Sequence, residues 1–292
     1  MSYTTSKPLV AYYVCKFRCP LFTLTREAYT LAMNTPFSED ACFNGAFSSL
    51  AIRILRVNIS VNDGFTEIWA RVSGKKQFVE SYVKALTKAK GIYFQLIYAN
   101  SFGRILRILV PREYCKNCIA SLGGDNGWCC CPLLSAPVGS MAKTTIITPC
   151  GAVYELVVSK RSVLEKLEKT CWDCELILTH AVDEYDYMLT EKQERILIEA
   201  YLRGYFSFPR KISMKDLAKE LGMSVSSLAE LLRKAEAKVV EAFVRHELPH
   251  YLVEHIIRRG SETSDIVGKH ARRTPKDTHK AVEEDRAILV RK

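Results

Sequence analysis

The chain has 292 residues, 48% of them hydrophobic and 25% charged, with 14 glycines and 10 prolines. Those proportions exclude collagen-like, low-complexity and disordered classes, and no apolar run approaches the ~20 residues of a membrane-spanning helix. The net charge of +10 favours an anionic partner such as nucleic acid, although charge balance alone bears on solubility and association rather than fold.

At ~100–200 residues per domain the length suggests two domains, or three small ones. Residues 1–188 and 189–292 each carry 21 basic and 16 acidic side chains, so a DNA-binding reading must rest on local pattern. Met1–Val14 has one lysine, a break at Pro8 and a short apolar stretch. It makes a poor signal peptide, and a cytoplasmic protein is expected.

In chain order, Leu9–Val14 reads as a buried strand, Thr25–Met33 as a weak helix and Asn34–Gly45 as loop. Ile52–Val61 alternates as a strand with one slip near Arg56, and Asn62-Asp63-Gly64 signals a hairpin into Phe65–Val72. Lys75–Lys90 has helical spacing and ends at Gly91. Ile92–Ala99 and Arg104–Val110 read as strands. The order then recurs: strands Thr144–Thr148 and Ala152–Val158, helix Arg161–Thr170, strand Glu175–His180. Strand-strand-helix-strand twice, about 85 residues apart, predicts an α+β region built as two ferredoxin-like or ACT-like sandwiches. This sensory or regulatory region spans residues 1–187, with an irregular cysteine-rich insert at 111–140.

After Tyr187 the texture is helical. Thr190 with Gln193 makes a capping box for a helix to about Leu202. Ser213 caps Met214–Leu221, which Gly222 ends, and Ser224 caps a third helix running to about Glu247. His250–Arg259 suggests a fourth. Residues 260–292 read as a basic mobile tail carrying Lys269, Arg272, Arg273 and Lys276.

Within Met214–Leu231, the spacing of Ala218, Gly222 and Leu228 is that of a helix-turn-helix. Ala218 is small where two helices cross, Gly222 turns the chain without a Cβ penalty, and Leu228 plugs the core with Leu217, Leu221 and Val225 or Leu231. The short Gly222-Met223-Ser224 turn sets the angle that presents the second helix to a major groove. Ser226, Ser227 and Glu230 lie on the exposed start of that helix, where hydroxyls meet base edges and Glu accepts from a cytosine amino group. Arg233, Lys234, Arg210, Lys211 and Lys215 are the expected phosphate contacts. Val239, Val240, Phe243 and Val244 lie beyond the groove-sized segment and suit packing against the sensor or a second subunit.

The flanking residues, Leu189-Thr190-Glu191-Lys192-Gln193, Gly204-Tyr205-Phe206, Leu217–Ser224 and Leu231–Lys238, carry a family likeness. Over about Met188–Val244 the chain resembles the archaeal bacterio-opsin-activator type of helix-turn-helix regulator, whose DNA-binding unit is similar to sigma-factor region four. Leu231-Leu232 departs from the polar or His residue that many relatives place before the Leu-Arg pair. The resemblance implies a variable N-terminal sensory region and double-stranded DNA as partner.

Eleven cysteines is high for a cytosolic chain, and none lies beyond Cys174. Without a secretory signal, metal or redox chemistry is the stronger reading and a disulfide framework the weaker, intracellular proteins of hyperthermophiles excepted. Cys115-x2-Cys118 and Cys129-Cys130-Cys131 offer four thiolates to a zinc ion. Three consecutive cysteines cannot all reach one metal, so the set is Cys115, Cys118 and Cys129 with either Cys131 or Cys130. Cys171-x2-Cys174 follows a helix and enters a strand, the reverse of a thioredoxin-like motif. No catalytic constellation or glycine-rich phosphate loop stands out, so an enzyme is not expected.

The reading is a transcriptional regulator, a homodimer across two half-sites, in which a metal, redox or small-molecule signal in the cysteine-bearing region controls residues 188–259. Two alternatives differ in class. One is a thiol- or metal-dependent enzyme with a helical docking module. The other is a non-sensing adaptor for transcription machinery, with structural zinc.

Overall fold

The computed structural model describes residues 8–16, 19–59, 64–101, 103–111, 114, 139–170, 174–181 and 189–266. The strands are β1 (Leu9–Cys15), β2 (Leu50–Ile59), β3 (Phe65–Gly74), β4 (Tyr93–Asn100), β5 (Gly103–Pro111), β6 (Ser140–Thr148), β7 (Gly151–Val158) and β8 (Cys174–Ala181). The helices of the same region are α1 (Pro20–Met33), α2 (Ala46–Ser49), α3 (Lys76–Lys88) and α4 (Arg161–Thr170), with a 3-10 turn at Glu39–Asn44. Beyond them come α5 (Glu191–Leu202), α6 (Met214–Glu220), α7 (Val225–Glu247) and α8 (Pro249–Ile266).

Strand-strand-helix-strand occurs at β2-β3-α3-β4 and at β6-β7-α4-β8, but the strands do not form two separate sandwiches. They make one antiparallel sheet in the order β4-β5-β3-β2-β6-β7-β1-β8. The halves join where Ile52 and Arg53 of β2 face Ile147 and Ile146 of β6. Within the first half β5 lies between β3 and β4; within the second, β1 lies between β7 and β8. Period-2 patterning predicts that strands exist, whereas their neighbours depend on contacts a hundred residues away.

Burial follows this order. β1 and β7, in the sheet interior, are buried at nearly every position, consistent with their almost continuous apolar sequence. β3 instead alternates, with Thr66, Ile68, Ala70 and Val72 buried. Gly74 ends β3 at φ 139°, and a Cβ there would stand 2.2 Å from the Ser49 carbonyl oxygen, so only glycine fits this crossing.

Two cysteine pairs correct the expectation that disulfides are the weaker reading. Cys15 of β1 bonds Cys174 of β8, its register partner, and Cys42 of the 3-10 turn bonds Cys150 in the β6–β7 turn. Cys174 therefore pairs across the sheet, which spacing along the chain does not reveal. Cys115, Cys118, Cys129, Cys130, Cys131 and Cys171 lie outside the described residues, and so does the Asn62-Asp63 turn. Among the described residues no group of His, Cys, Asp and Glu is arranged to hold a metal, and no helix is long and apolar enough to cross a membrane.

The C-terminal helices divide between two cores. Ile196, Ala200, Tyr205, Leu217, Ala218, Leu228 and Leu232 form a small core shared by α5, α6 and the first half of α7. Val253 of α8, fully buried, belongs to the core of the sheet region. The helix α8 also runs to Ile266, so the segment from residue 260 begins as helix rather than tail. Gly260 costs a helix only about 1 kcal/mol relative to alanine, too little to end one.

Candidate DNA-binding surface

Local signals close each helix of the C-terminal unit. At α5 the Gln193 amide donates to Thr190 Oγ1 (3.3 Å) and the Thr190 amide donates to Gln193 Oε1 (3.0 Å), completing the capping box. Ser213 Oγ accepts from the Asp216 amide at 3.1 Å, and Ser224 Oγ from the Ser227 amide at 3.1 Å. Each satisfies an amide that the first helical turn leaves unpaired.

Gly222 takes φ 63° between α6 and α7, and the Met223 amide then donates to the Ala218 carbonyl at 2.9 Å. Ala218, Leu217 and Leu228 are buried where the two helices meet. Of the two residues considered for the remaining core position, Leu231 packs against this cluster while Val225 is exposed. Arg203 clasps the unit from outside, donating to Glu199 of its own helix (3.0 Å) and to Glu220 at the end of α6.

Ser226, Ser227, Glu230, Arg233 and Lys234 are all exposed along the first half of α7. The serine hydroxyls are drawn into the cap: Ser224 Oγ lies 3.0 Å from Ser226 Oγ and donates to Ser227 Oγ at 2.8 Å. Lys234 Nζ donates to Glu230 at 2.6 Å, and that bond holds the Glu230 carboxyl below the usual carboxylate range. Glu230 is thus an acceptor already shared with a lysine. Arg210 and Lys211 lie in the α5–α6 connection and Lys215 on α6, all exposed. The Arg210 guanidinium stands 4.6 Å over the Tyr205 ring, a cation–π arrangement that restrains it without neutralising its charge. Lys211 lies along Gly204, so its stem is held near the backbone.

Sequence reasoning missed the polar anchor that His246 and Glu247 make at the far end of the same helix. His246 Nδ1 is 2.8 Å from Glu155 Oε1 on β7, and Lys143 Nζ of β6 is 2.8 Å from His246 Nε2. Thr144 Oγ1 donates to the His246 carbonyl at 3.3 Å, and Arg53 of β2 pairs with Glu247. Glu155 is fully buried, with Lys143 Nζ 3.9 Å away as a second partner, so losing the His246 contact would leave a buried carboxylate with that one longer ion pair. The exposed face and this anchor are two ends of one 23-residue helix. A single Glu inside the apolar run Ala152–Val158 was the available signal for the anchor.

Residues 189–241 match the family described as HTH DNA binding domain. A protein of Haloferax volcanii named as a transcriptional regulator is 38% identical over 58 residues, 20% of this chain and 10% of that one. The dimethyl sulfoxide reductase transcriptional activator of Halobacterium salinarum is 28% identical over 138 residues, 44% of this chain and 60% of the activator. The second likeness is longer than the helix-turn-helix and so extends beyond it, but this chain spans less than two thirds of either relative. No solved structure matches the chain.

Proposed function

We propose that this chain, whose residues 189–241 form a helix-turn-helix DNA-binding domain of the bacterio-opsin-activator type, is a sequence-specific transcriptional regulator. Its sheet region sets the pose of the reading helix. Ser226, Ser227 and Glu230 face base edges, while Arg233, Lys234, Arg210, Lys211 and Lys215 meet phosphates. The named relatives support the regulatory role.

The observation that carries the coupling is the anchor. A change in the sheet at Lys143, Glu155 or Arg53 reaches the groove-facing end along a continuous hydrogen-bonded rod. The sheet region reads as two ferredoxin-like units that have exchanged a strand, because β1 and β5 occupy equivalent places in the two half-sheets. The signal is a metal, redox or small-molecule input to this region, with the thiolates of Cys115, Cys118, Cys129 and Cys131 as a zinc set. Cys15, Cys42 and Cys150 are buried in disulfides and act as staples rather than sensors.

Glu155→Gln keeps the shape of the anchor and removes its charge. Expected is a threefold or larger change in duplex affinity with the melting of α5–α7 unaltered. Unchanged affinity would leave the helix-turn-helix working independently of the sheet.

A further inference from the structure

The first half-sheet has a face turned away from α3. Ile68, Ala70 and Val72 of β3 share the sheet core with Phe78 and Tyr82 of that helix, so the alternate residues, Trp69 and Arg71 among them, point to the other side. Register carries that side across four strands. Trp69 stands at its centre, with Arg56 of β2 opposite on one flank and Arg107 of β5 on the other. On the outer strand β4, Tyr93 lies opposite Leu109 and Tyr98 opposite Ile105; the two tyrosines are 60% and 55% exposed. Among the described residues, none of these three rings belongs to or packs against either core. We infer that this face binds single-stranded nucleic acid, its rings stacking on bases and its arginines meeting phosphates. The site is separate from the duplex-reading helix and does not depend on it.

Two features select this occupant. The first is charge. Strands β2 to β5 hold five arginines, and Glu67 is their sole acid. The residues opposite Arg71 are Arg53 and Ile105, so no acid faces it across the sheet. Glu67 itself fixes the platform. It accepts from Arg107 Nε and, at 2.9 Å, from Asn58 Nδ2, while Asn58 Oδ1 accepts from Arg56 Nε at 2.9 Å. Both guanidiniums beside Trp69 are thus held through Nε, which leaves their terminal nitrogens to donate to phosphate oxygens.

The second feature is ring placement. At ~4.8 Å between strands and ~3.4 Å per residue, Trp69, Tyr93 and Tyr98 stand roughly 12–14 Å apart, too far to stack on one another. Phe65 restrains Tyr93 through an edge contact, with ring centroids 5.9 Å apart. Each of the three rings is therefore placed to take a separate base. A duplex hides its base faces inside the stack, whereas a single strand offers one per nucleotide to a flat, positively charged surface.

The test titrates the full chain with a mixed-sequence strand of about 12 nucleotides, as RNA and as DNA, and with duplex DNA in parallel. Expected is single-strand binding that weakens with salt and quenches the fluorescence of Trp69, one of the chain's three tryptophans. Trp69→Phe keeps a ring, so it should retain affinity and lose the quenching. Y93S/Y98S should bind the single strand tenfold or more weakly, with duplex affinity and the circular dichroism melt as in the wild type. Preference for RNA or for DNA would support the site and name its strand. A chain that holds duplex but no single strand would overturn the inference and leave duplex reading intact. So would single-strand binding that Y93S/Y98S leaves unchanged, or quenching that survives Trp69→Phe. Loss of duplex binding alone would overturn the helix-turn-helix reading and spare this face.

Discussion

The helix-turn-helix and the sheet region are held together in opposite ways. The first closes on itself within about four dozen residues: three capped helices, one glycine turn and seven buried side chains. The second is assembled from distant segments, with β1 paired to β7 and β8 and disulfides joining residues 159 and 108 positions apart. A reading head built from local contacts keeps its shape when its surroundings change. A sheet built from long-range contacts responds as a whole when one of those contacts is broken.

Breaking one staple gives the largest expected effect. Cys150→Ser opens the Cys42–Cys150 link, and removing a long-loop disulfide costs about 2–5 kcal/mol. Denaturant melts should show that loss in the sheet transition, with the α5–α7 signal unmoved. The matching cut in the reading head is Leu228→Ala, which empties a fully buried position and costs about 3 kcal/mol. It should lower helical stability and duplex affinity together.

Acid separates the two regions without mutation. His250 is buried beside Arg53, and burial first, then the neighbouring guanidinium, push its pKa down to about 4. The folded chain keeps it neutral, while the unfolded chain takes up a proton below its ordinary value of 6.5. Sheet stability from this group is therefore full above pH 6.5 and falls by about 3 kcal/mol as pH drops toward 4. His250→Leu should flatten that part of a stability–pH curve, and an unchanged curve would assign the acid sensitivity elsewhere. The smallest expected effect is Gly222→Ala, which forces a side chain into φ 63° and costs about 1–2 kcal/mol. It should lower the melting temperature of α5–α7 while the sheet transition stays in place.

The same contrast governs what the sequence discloses. Thr190 with Gln193, Ser213, Gly222 and Ser224 each act within four residues, so caps, turn and crossing were readable directly. Strands in the N-terminal region were readable by alternation, but Ile52 facing Ile147 is a tertiary fact without local trace. Cys171-x2-Cys174 looked like a pair, yet strand register hands Cys174 to Cys15. Of the site, the exposed face of α7 was legible. The anchor at Glu155, Lys143 and Arg53 was not, because three strands must come together before those charges meet His246 and Glu247.

Whether the first half of α7 reads duplex DNA is tested by the duplex affinity of the full chain against salt concentration, for wild type and Arg233→Ala. If Arg233 meets a phosphate, both log–log plots are linear, and the variant binds more weakly to every duplex with a slope smaller by about 1. Affinity that ignores salt, or an Arg233→Ala plot that overlays the wild type, would contradict the placement of this helix on DNA.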